Sequence, residues 1–466
     1  MTAFVQHSPE DRARMLAGIG VTSFDDIVAD VPASIRVKGG LPIPEGLSEP
    51  ETLARMGRLA RRNVGGAELA CFAGGGTYDV CVPAATKAIA SRPEFATAYT
   101  PYQAEVSQGT LQSIYEFQTI VTRLTDLDLA NASMYDAATA LAEAVLLAQS
   151  ARPGDRVLVS PYLHPNHRRV LDTLLEPTGV TAVELPSRGA RTDVSGLRPD
   201  TLEGAVAVVM QQPNWLGALE DMRLVGAALE GDGKPLFIAS VDLSSLALLE
   251  PPGGYGADIA VGDAQSLGVP MNYGGPSAGV FAAKSEFLRR MPGRIAGLGR
   301  DARGQRAFTL AFQTREQHIR RARATSNICT NQALVALQAT VSTALLGATG
   351  RRRAAELSAV KAHALAERIG HVAGVQLADS EAPFFREFAI RLPAGVRALD
   401  VLRAMTRDGI LGGIPLSNVP GGGGEGLLVA VTEKRTFEEI EAYAGALDRA
   451  LHQPNGSRAA EMEKVS

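Results

Sequence analysis

Six short apolar runs constrain this chain most: RVLVS (156–160), TAVEL (181–185), AVAVVM (205–210), PLFIASV (235–241), DIAVG (258–262) and AGVFAA (278–283). Each has the length of a strand. Most of the intervals between them suit helices, among them HRRVLDTLLEPTG and DMRLVGAALEGDG. Near-continuous apolar runs fit strands buried on both faces, so the pattern predicts an α/β fold with a mainly parallel sheet and helices on either side. Crossovers in such a sheet are nearly always right-handed. Two further helices are predicted ahead of and beside the first strand, at LQSIYEFQTIVTRLTD and AATALAEAVLLAQSA.

Around this core the chain divides into segments. Residues 1–63 read as a peripheral helical segment. Ser8-Pro9-Glu10-Asp11 supplies an N-cap, a first-turn proline and first-turn acids, and PETLARMGRLARRN has helical spacing. Between them SIRVKGGLPIPEGLSE reads as an irregular connection. Residues 64–340 form the large domain and residues 341–452 a smaller C-terminal α+β domain, with a disordered tail at 453–466. Helix-forming segments in REQHIRRARATSNICTNQALVALQATVSTALLG link the two domains. PGGGGEG (420–426) reads as a loop; it lacks the GK[ST] ending and strand–loop–helix setting of a phosphate cradle.

Composition narrows the classes. A net charge of −4 over 466 residues offers nothing for nucleic acid or a membrane surface. No signal peptide is recognised, and no apolar run is read as a bilayer span. Cys71, Cys81 and Cys329 form no CxxC pair and read as buried thiols of a reducing cytoplasm.

The stretch from Asp242 to Phe281 carries the chemical signal. An acid ends one buried strand, an apolar strand follows, then a polar segment and a Gly-Gly-Pro turn. The order resembles the cofactor stretch of pyridoxal-phosphate (PLP) enzymes of the aspartate-aminotransferase fold. Such a site needs a Schiff-base lysine, an acid at the pyridine nitrogen, a phosphate cup and a group against the ring. Asp242 is placed for the acid, or simply caps a strand end. His164 stands at a strand end where a ring-face group belongs, with His167 three residues on; both read as surface or strand-end histidines rather than metal ligands. Ser133 and Thr139 suit a phosphate cup, but Asp136 between them would oppose a phosphate. The lysine position holds Gln265, which cannot form an imine. The chain has only seven lysines (38, 87, 234, 284, 361, 434 and 464). Lys284, the nearest to the cofactor stretch, reads as an exposed residue at the start of a helix, SEFLRRM.

Longer motifs carry a more specific resemblance. TAYTPYQAEVSQGTLQSIYEFQ, NASMYDAATALAEA, QQPNWLGALED, GDAQSLGVPMNYGGPSAGVF, REQHIRRARATSNICTNQAL and LLVAVTEKRT resemble the alpha-type chains of the two-chain P-protein family of the glycine cleavage system. The resemblance runs to about residue 450. It departs at Ala104, where proline is expected, and in the PGGGG loop. It implies a type I PLP-transferase fold and a chain without the cofactor lysine, Ala264-Gln265 standing where the paralogous beta chain has His-Lys. PLP is then carried by that partner, with two copies of each chain. The complex decarboxylates glycine and passes the aminomethyl group to the lipoyl group of the H-protein, releasing carbon dioxide.

On that resemblance, Tyr99, Tyr102 and Gln103 are candidates to complete the partner's active site. The alternative is that they staple their own irregular segment to its core. Arg315, Arg320, Arg321 and Arg323 read as a solvated helix face, or as a contact for an acidic carrier protein. A stand-alone PLP decarboxylase or aminotransferase using Lys284, and a catalytically silent assembly scaffold, are the competing readings.

Overall fold

The structure, a computed structural model, describes residues 7–37, 41–66, 68–417 and 424–452. Lys38, Lys464, most of the PGGGGEG loop and the 453–466 segment lie outside the described residues.

The chain divides into two units, Met1–Val64 and Gly65–Ser466. The first contains helices α1 (Pro9–Gly18), α2 (Phe24–Ile27) and α3 (Glu49–Ala60). Each starts from a serine that forms a capping box with an acid three residues on: Ser8 with Asp11, Ser23 with Asp26, Ser48 with Glu51. The irregular connection between α2 and α3 follows from its prolines and glycines.

The second unit is built on a seven-stranded sheet among the described residues. Its strands are β1 (Leu129–Ala130), β2 (Arg156–Val159), β3 (Thr181–Glu184), β4 (Ala205–Gln212), β5 (Leu236–Asp242), β6 (Ile259–Asp263) and β7 (Gly279–Ala283). Their order across the sheet is β1-β7-β6-β5-β4-β2-β3. β2 to β6 pair in parallel, while β7 runs antiparallel to both β6 and β1. Alternate residues serve opposite faces. Val208 and Met210 pack with Phe117 and Val121 of α4 (Gln108–Thr125). Ala207 and Val209 pack with Leu141 and Val145 of α5 (Ala137–Ala151) and with Leu171 of α6 (Pro165–Leu175). Each such buried valine or leucine contributes about 1.5–3 kcal/mol, which is why the six apolar runs fix the sheet.

A second, antiparallel sheet has β8 (Gln376–Leu377), β9 (Glu387–Arg391), β10 (Ile414–Pro415) and β11 (Gly426–Ala430), in the order β8-β9-β11-β10. One helix serves both sheets. α7 (Ala333–Gly370) puts Val335, Ala336 and Ala339 into the large core and Ala362, Leu365 and Ile369 into the small one. It breaks at Gly347, whose φ of 62° and ψ of −176° suit glycine alone. The small core is completed by α8 (Ala398–Arg407) and α9 (Phe437–His452).

Several local expectations are corrected. Length and composition alone would let α7 cross a membrane. The sequence shows no apolar run of that length, yet the helix reaches it; its buried residues pack into two protein cores. REQHIRRARA forms only one-turn pieces, Gln317–Arg320 and Arg321–Arg323. SEFLRRM gives a single 3-10 turn, Ser285–Phe287, not a helix. Only Cys71 is buried; Cys81 and Cys329 are exposed.

Candidate functional site

The parallel strands end together, and their C-terminal ends open into a cavity of about 380 Å³. Clefts at this edge are where α/β sheets bind ligands. Asp242 ends β5, Asp263 ends β6, and the first turn of α5 lies beside them. The small sheet contributes the facing wall through Phe385, Arg386 and Glu387.

Asp242 lines this cavity, but it is already paired. The Arg386 guanidinium, 2% exposed, donates to its carboxylate at 2.6 Å. Ser244 donates to the same group through N–H and Oγ. The guanidinium also lies over the Tyr78 ring, 3.7 Å from its centroid. Next along, Glu387 accepts from Gly75 N–H at 2.6 Å and from the Tyr78 hydroxyl at 2.9 Å. Burial pushes its carboxyl up to about 7. A side chain at Gly74 would strike the Glu387 carboxylate and Ala430, so glycine is required for this close approach.

Gln265 stands between the lining residues Asp263 and Ser266 and is itself outside the lining. Its side-chain oxygen accepts from Tyr78 N–H at 2.9 Å, and its amide nitrogen donates to the carbonyls of Tyr78 and Val269, each at 2.8 Å. The residue is 3% exposed and every polar atom of its side chain is in use. It ties the Gly74–Tyr78 segment to the end of β6.

His164 caps α6. Its Nδ1 accepts from Asn166 N–H, which leaves Nε2 to donate to the Gly75 carbonyl at 3.0 Å and fixes the tautomer. Burial lowers its pKa. Trp215 meets its ring edge-on at 4.5 Å, and His167 stacks on it at 4.4 Å. Burial, with His164 alongside, pushes His167 down to about 3. Both are half-buried rather than on the surface, and His164 follows the end of β2, the strand-end alternative of the sequence reading.

The residues do not fit pyridoxal phosphate. Asp136 caps α5 by accepting from Thr139 N–H at 2.8 Å, placing a carboxylate at the helix N-terminus where a phosphate would need donors. Asp263 adds a second acid there, pushed up to about 6 by burial. The pyridine acid is held by Arg386. None of the five described lysines lines the cavity. Lys284 sits at the other end of the strands, bonded to Asp258 at 2.5 Å; the length of β6, roughly 15 Å, separates it from Asp263. It is an ion-pair partner, not the free helix-start residue expected.

Tyr99, Tyr102 and Gln103 lie outside the cavity lining. Tyr99 is 97% exposed and Tyr102 is 55% exposed, its ring near His318 and Arg294. The Arg run splits: Arg320, Arg321 and Arg323 are exposed, whereas Arg315 is buried and donates to the carbonyls of Phe312, Met291 and Gly293. Sequence reasoning missed Arg386, Glu387 and Tyr78. The only available signal was the adjacent Arg-Glu pair opening an otherwise apolar strand, FREFAI.

The fold is the type I fold shared by PLP-dependent enzymes. A cysteine desulfurase from Thermococcus onnurineus (TM-score 0.61, 16% identity, 88% of this chain and 99% of that one) and an aspartate aminotransferase from Thermus thermophilus (TM-score 0.57, 17% identity, 82% and 98%) share the fold. The family model described as "Glycine cleavage system P-protein" matches residues 2–447, and the chain belongs to that family. "Probable glycine dehydrogenase (decarboxylating) subunit 1" of Chlorobium limicola is 48% identical over 95% of this chain and 99% of its own length; that of Chlorobium chlorochromatii is 46% identical over 95% and 98%. A solved structure titled "glycine decarboxylase (P-protein) of the glycine cleavage system, in inhibitor-bound form" matches with TM-score 0.86 and 44% identity, covering 96% of this chain and all of the other. The chain is thus an oxidoreductase component of the glycine cleavage system that works with a second subunit.

Proposed function

We propose that this chain is the non-lysine subunit of a two-chain glycine dehydrogenase (decarboxylating), with pyridoxal phosphate carried by the other subunit. The complex decarboxylates glycine, releases carbon dioxide and transfers the aminomethyl group to the lipoyl group of the H-protein. It acts in the cytoplasm with two copies of each chain. The observation that supports the reading is that Gln265, which the family resemblance sets where the paralogous chain has its lysine, is buried with its side-chain amide committed to Tyr78 and Val269. When bound to the partner, the cofactor supplies the electron sink for decarboxylation.

This chain's own residues do the rest by position. The Arg386–Asp242 pair ties the segment entering the small sheet to the end of β5, and the Tyr78 hydroxyl holds Glu387 beside it. Tyr99, Tyr102 and Gln103 offer exposed aromatic and amide groups suited to exclude water from a neighbouring site. Lys284, bonded to Asp258 away from the cleft, does not support a stand-alone enzyme.

The purified chain, incubated with pyridoxal phosphate and freed of unbound cofactor, is expected to show no aldimine absorbance near the visible edge and no borohydride-trapped lysine. Adding the second subunit is expected to restore both, together with glycine-dependent carbon dioxide exchange. A trapped lysine on this chain alone, removed by Lys284→Ala, would sink the reading.

A further inference from the structure

The charged side chains that line the strand-end cleft are the acids Asp136, Asp242, Asp263 and Glu387 and a single guanidinium, Arg386. Two of the acids are spent, Asp242 on Arg386 and Glu387 on Gly75 N–H and the Tyr78 hydroxyl. The other two are not. Asp136 accepts from Thr139 N–H, and Asp263 from Gln265 N–H and the Ser277 hydroxyl, with Ala278 N–H close by. The lining's one cation pairs with Asp242 and with neither of them. The two acids meet around Gly279. That residue lies opposite Asp263 across the β6–β7 pairing, and a side chain on it would strike the Asp136 carbonyl. Like charges held together away from water are unfavourable until a cation joins them.

Three observations describe that cation. Among the described residues no three His, Cys, Asp or Glu side chains gather to hold a metal ion, so it is organic. One wall of the cleft is aromatic: Trp215 stands edge-on to His164, and His167 stacks on His164. Two lining side chains more than nine-tenths buried carry polar atoms without a partner, Trp215 Nε1 at 7% exposure and Ser266 Oγ at 5%. A buried indole N–H calls for an acceptor oxygen. The cavity, about 380 Å³, is of a size that small-molecule sites have.

We propose that the cleft binds a small organic ammonium ion of the amino-alcohol class. Its ammonium group sits between the Asp136 and Asp263 carboxylates, its apolar body lies along the Trp215–His164 wall, and its hydroxyl oxygen accepts from the Trp215 N–H. The oxygen has to be neutral. A carboxylate would face Asp242 and Glu387, and the guanidinium that could offset it is committed to Asp242. The site therefore takes an amino alcohol and rejects the amino acid of the same skeleton. This holds whichever subunit carries the cofactor.

Trp215 is the chain's single tryptophan, so its emission reports on the cleft directly. The full chain is titrated near neutral pH with L-phenylalaninol, L-phenylalanine and 3-phenylpropan-1-ol, which share a skeleton and carry an ammonium with a hydroxyl, a zwitterion and a hydroxyl alone. Inorganic phosphate is the probe for a retained phosphate cup. Phenylalaninol is expected to shift the emission saturably, with the other two organic probes binding at least roughly tenfold more weakly, the scale of one charge-assisted contact. Phosphate is expected to give no shift. Asp263→Asn and Asp136→Asn keep the side-chain size and, at Asp136, a capping residue. Each is expected to weaken phenylalaninol by roughly tenfold, with thermal unfolding of the free chain showing that the variant folds. The comparison of probes on the wild-type chain decides by itself if a variant does not fold. No saturable shift with phenylalaninol, equal binding of 3-phenylpropan-1-ol, equal or tighter binding of L-phenylalanine, or a shift with phosphate would overturn the proposal. So would phenylalaninol binding that both folded variants retain in full.

Discussion

The cleft residues and the N-terminal unit are opposite solutions within one chain. In the cleft, Asp242 has Arg386, Glu387 has Gly75 and Tyr78, and Gln265 has its three backbone partners. Among residues 7–37 and 41–64, none is buried. A site whose charges are mutually satisfied has little left with which to hold a charged cofactor. In the cleft these polar groups serve structure; in the N-terminal unit the helices are secured at their ends by capping boxes.

The sharpest test of that contrast is Arg386→Met. It strands the Asp242 carboxylate opposite a buried apolar side chain, and should cost about 3–5 kcal/mol in urea unfolding of the isolated chain. Adding Asp242→Asn should recover more than half of the loss. If Arg386→Met alone is tolerated within 1 kcal/mol on the order-of-magnitude scale of ordinary surface changes, the cleft is not held by its charges.

Glu387→Gln is expected to act through pH. Burial raises the pKa of Glu387 in the folded state to about 7 from an ordinary 4.5, so the native state binds the extra proton between those values. Stability from this group is full below about 4.5 and is lost as pH rises towards 7, by on the order of 3 kcal/mol. The stability difference, variant minus wild type, should therefore climb across that window. Asp263, raised to about 6, adds the same sign to both proteins. His167, lowered to about 3, adds the opposite sign, since its contribution is lost as pH falls. Comparing the two proteins cancels both. A difference that does not change with pH would remove Glu387 from the account.

The smallest effect belongs to Tyr99. At 97% exposure, Tyr99→Ala should change the stability of the isolated chain by less than about 0.5 kcal/mol. Glycine turnover by the two-chain enzyme should nonetheless fall if the tyrosine reaches the partner's site. Unchanged turnover would leave it a bystander.

Much of the sheet was legible because burial on both faces writes itself into consecutive residues: Val206 to Met210 can only be a buried strand. The loss of the lysine was legible at Gln265 because imine chemistry admits no amide. The reason Gln265 fits so well was not, since its partner Tyr78 lies 187 residues away. The same distance problem hid Arg386, whose ion pair spans 144 residues. Arg315 was misread because one basic run contains both a buried strut and three exposed side chains, and spacing alone does not separate them. Cys81 and Cys329 were misread because composition speaks for the average thiol and not for its position.

Gly347 has a mechanical consequence. From there to Gly370, α7 is a rod of 23 residues and roughly 35 Å. A swing of only three degrees about the glycine would carry its far end, and the small sheet packed on it, by about 2 Å. That is enough to part Arg386 from Asp242. The ion pair therefore works as a latch on a long lever, and the leverage favours whatever contacts the small sheet over whatever enters the cleft.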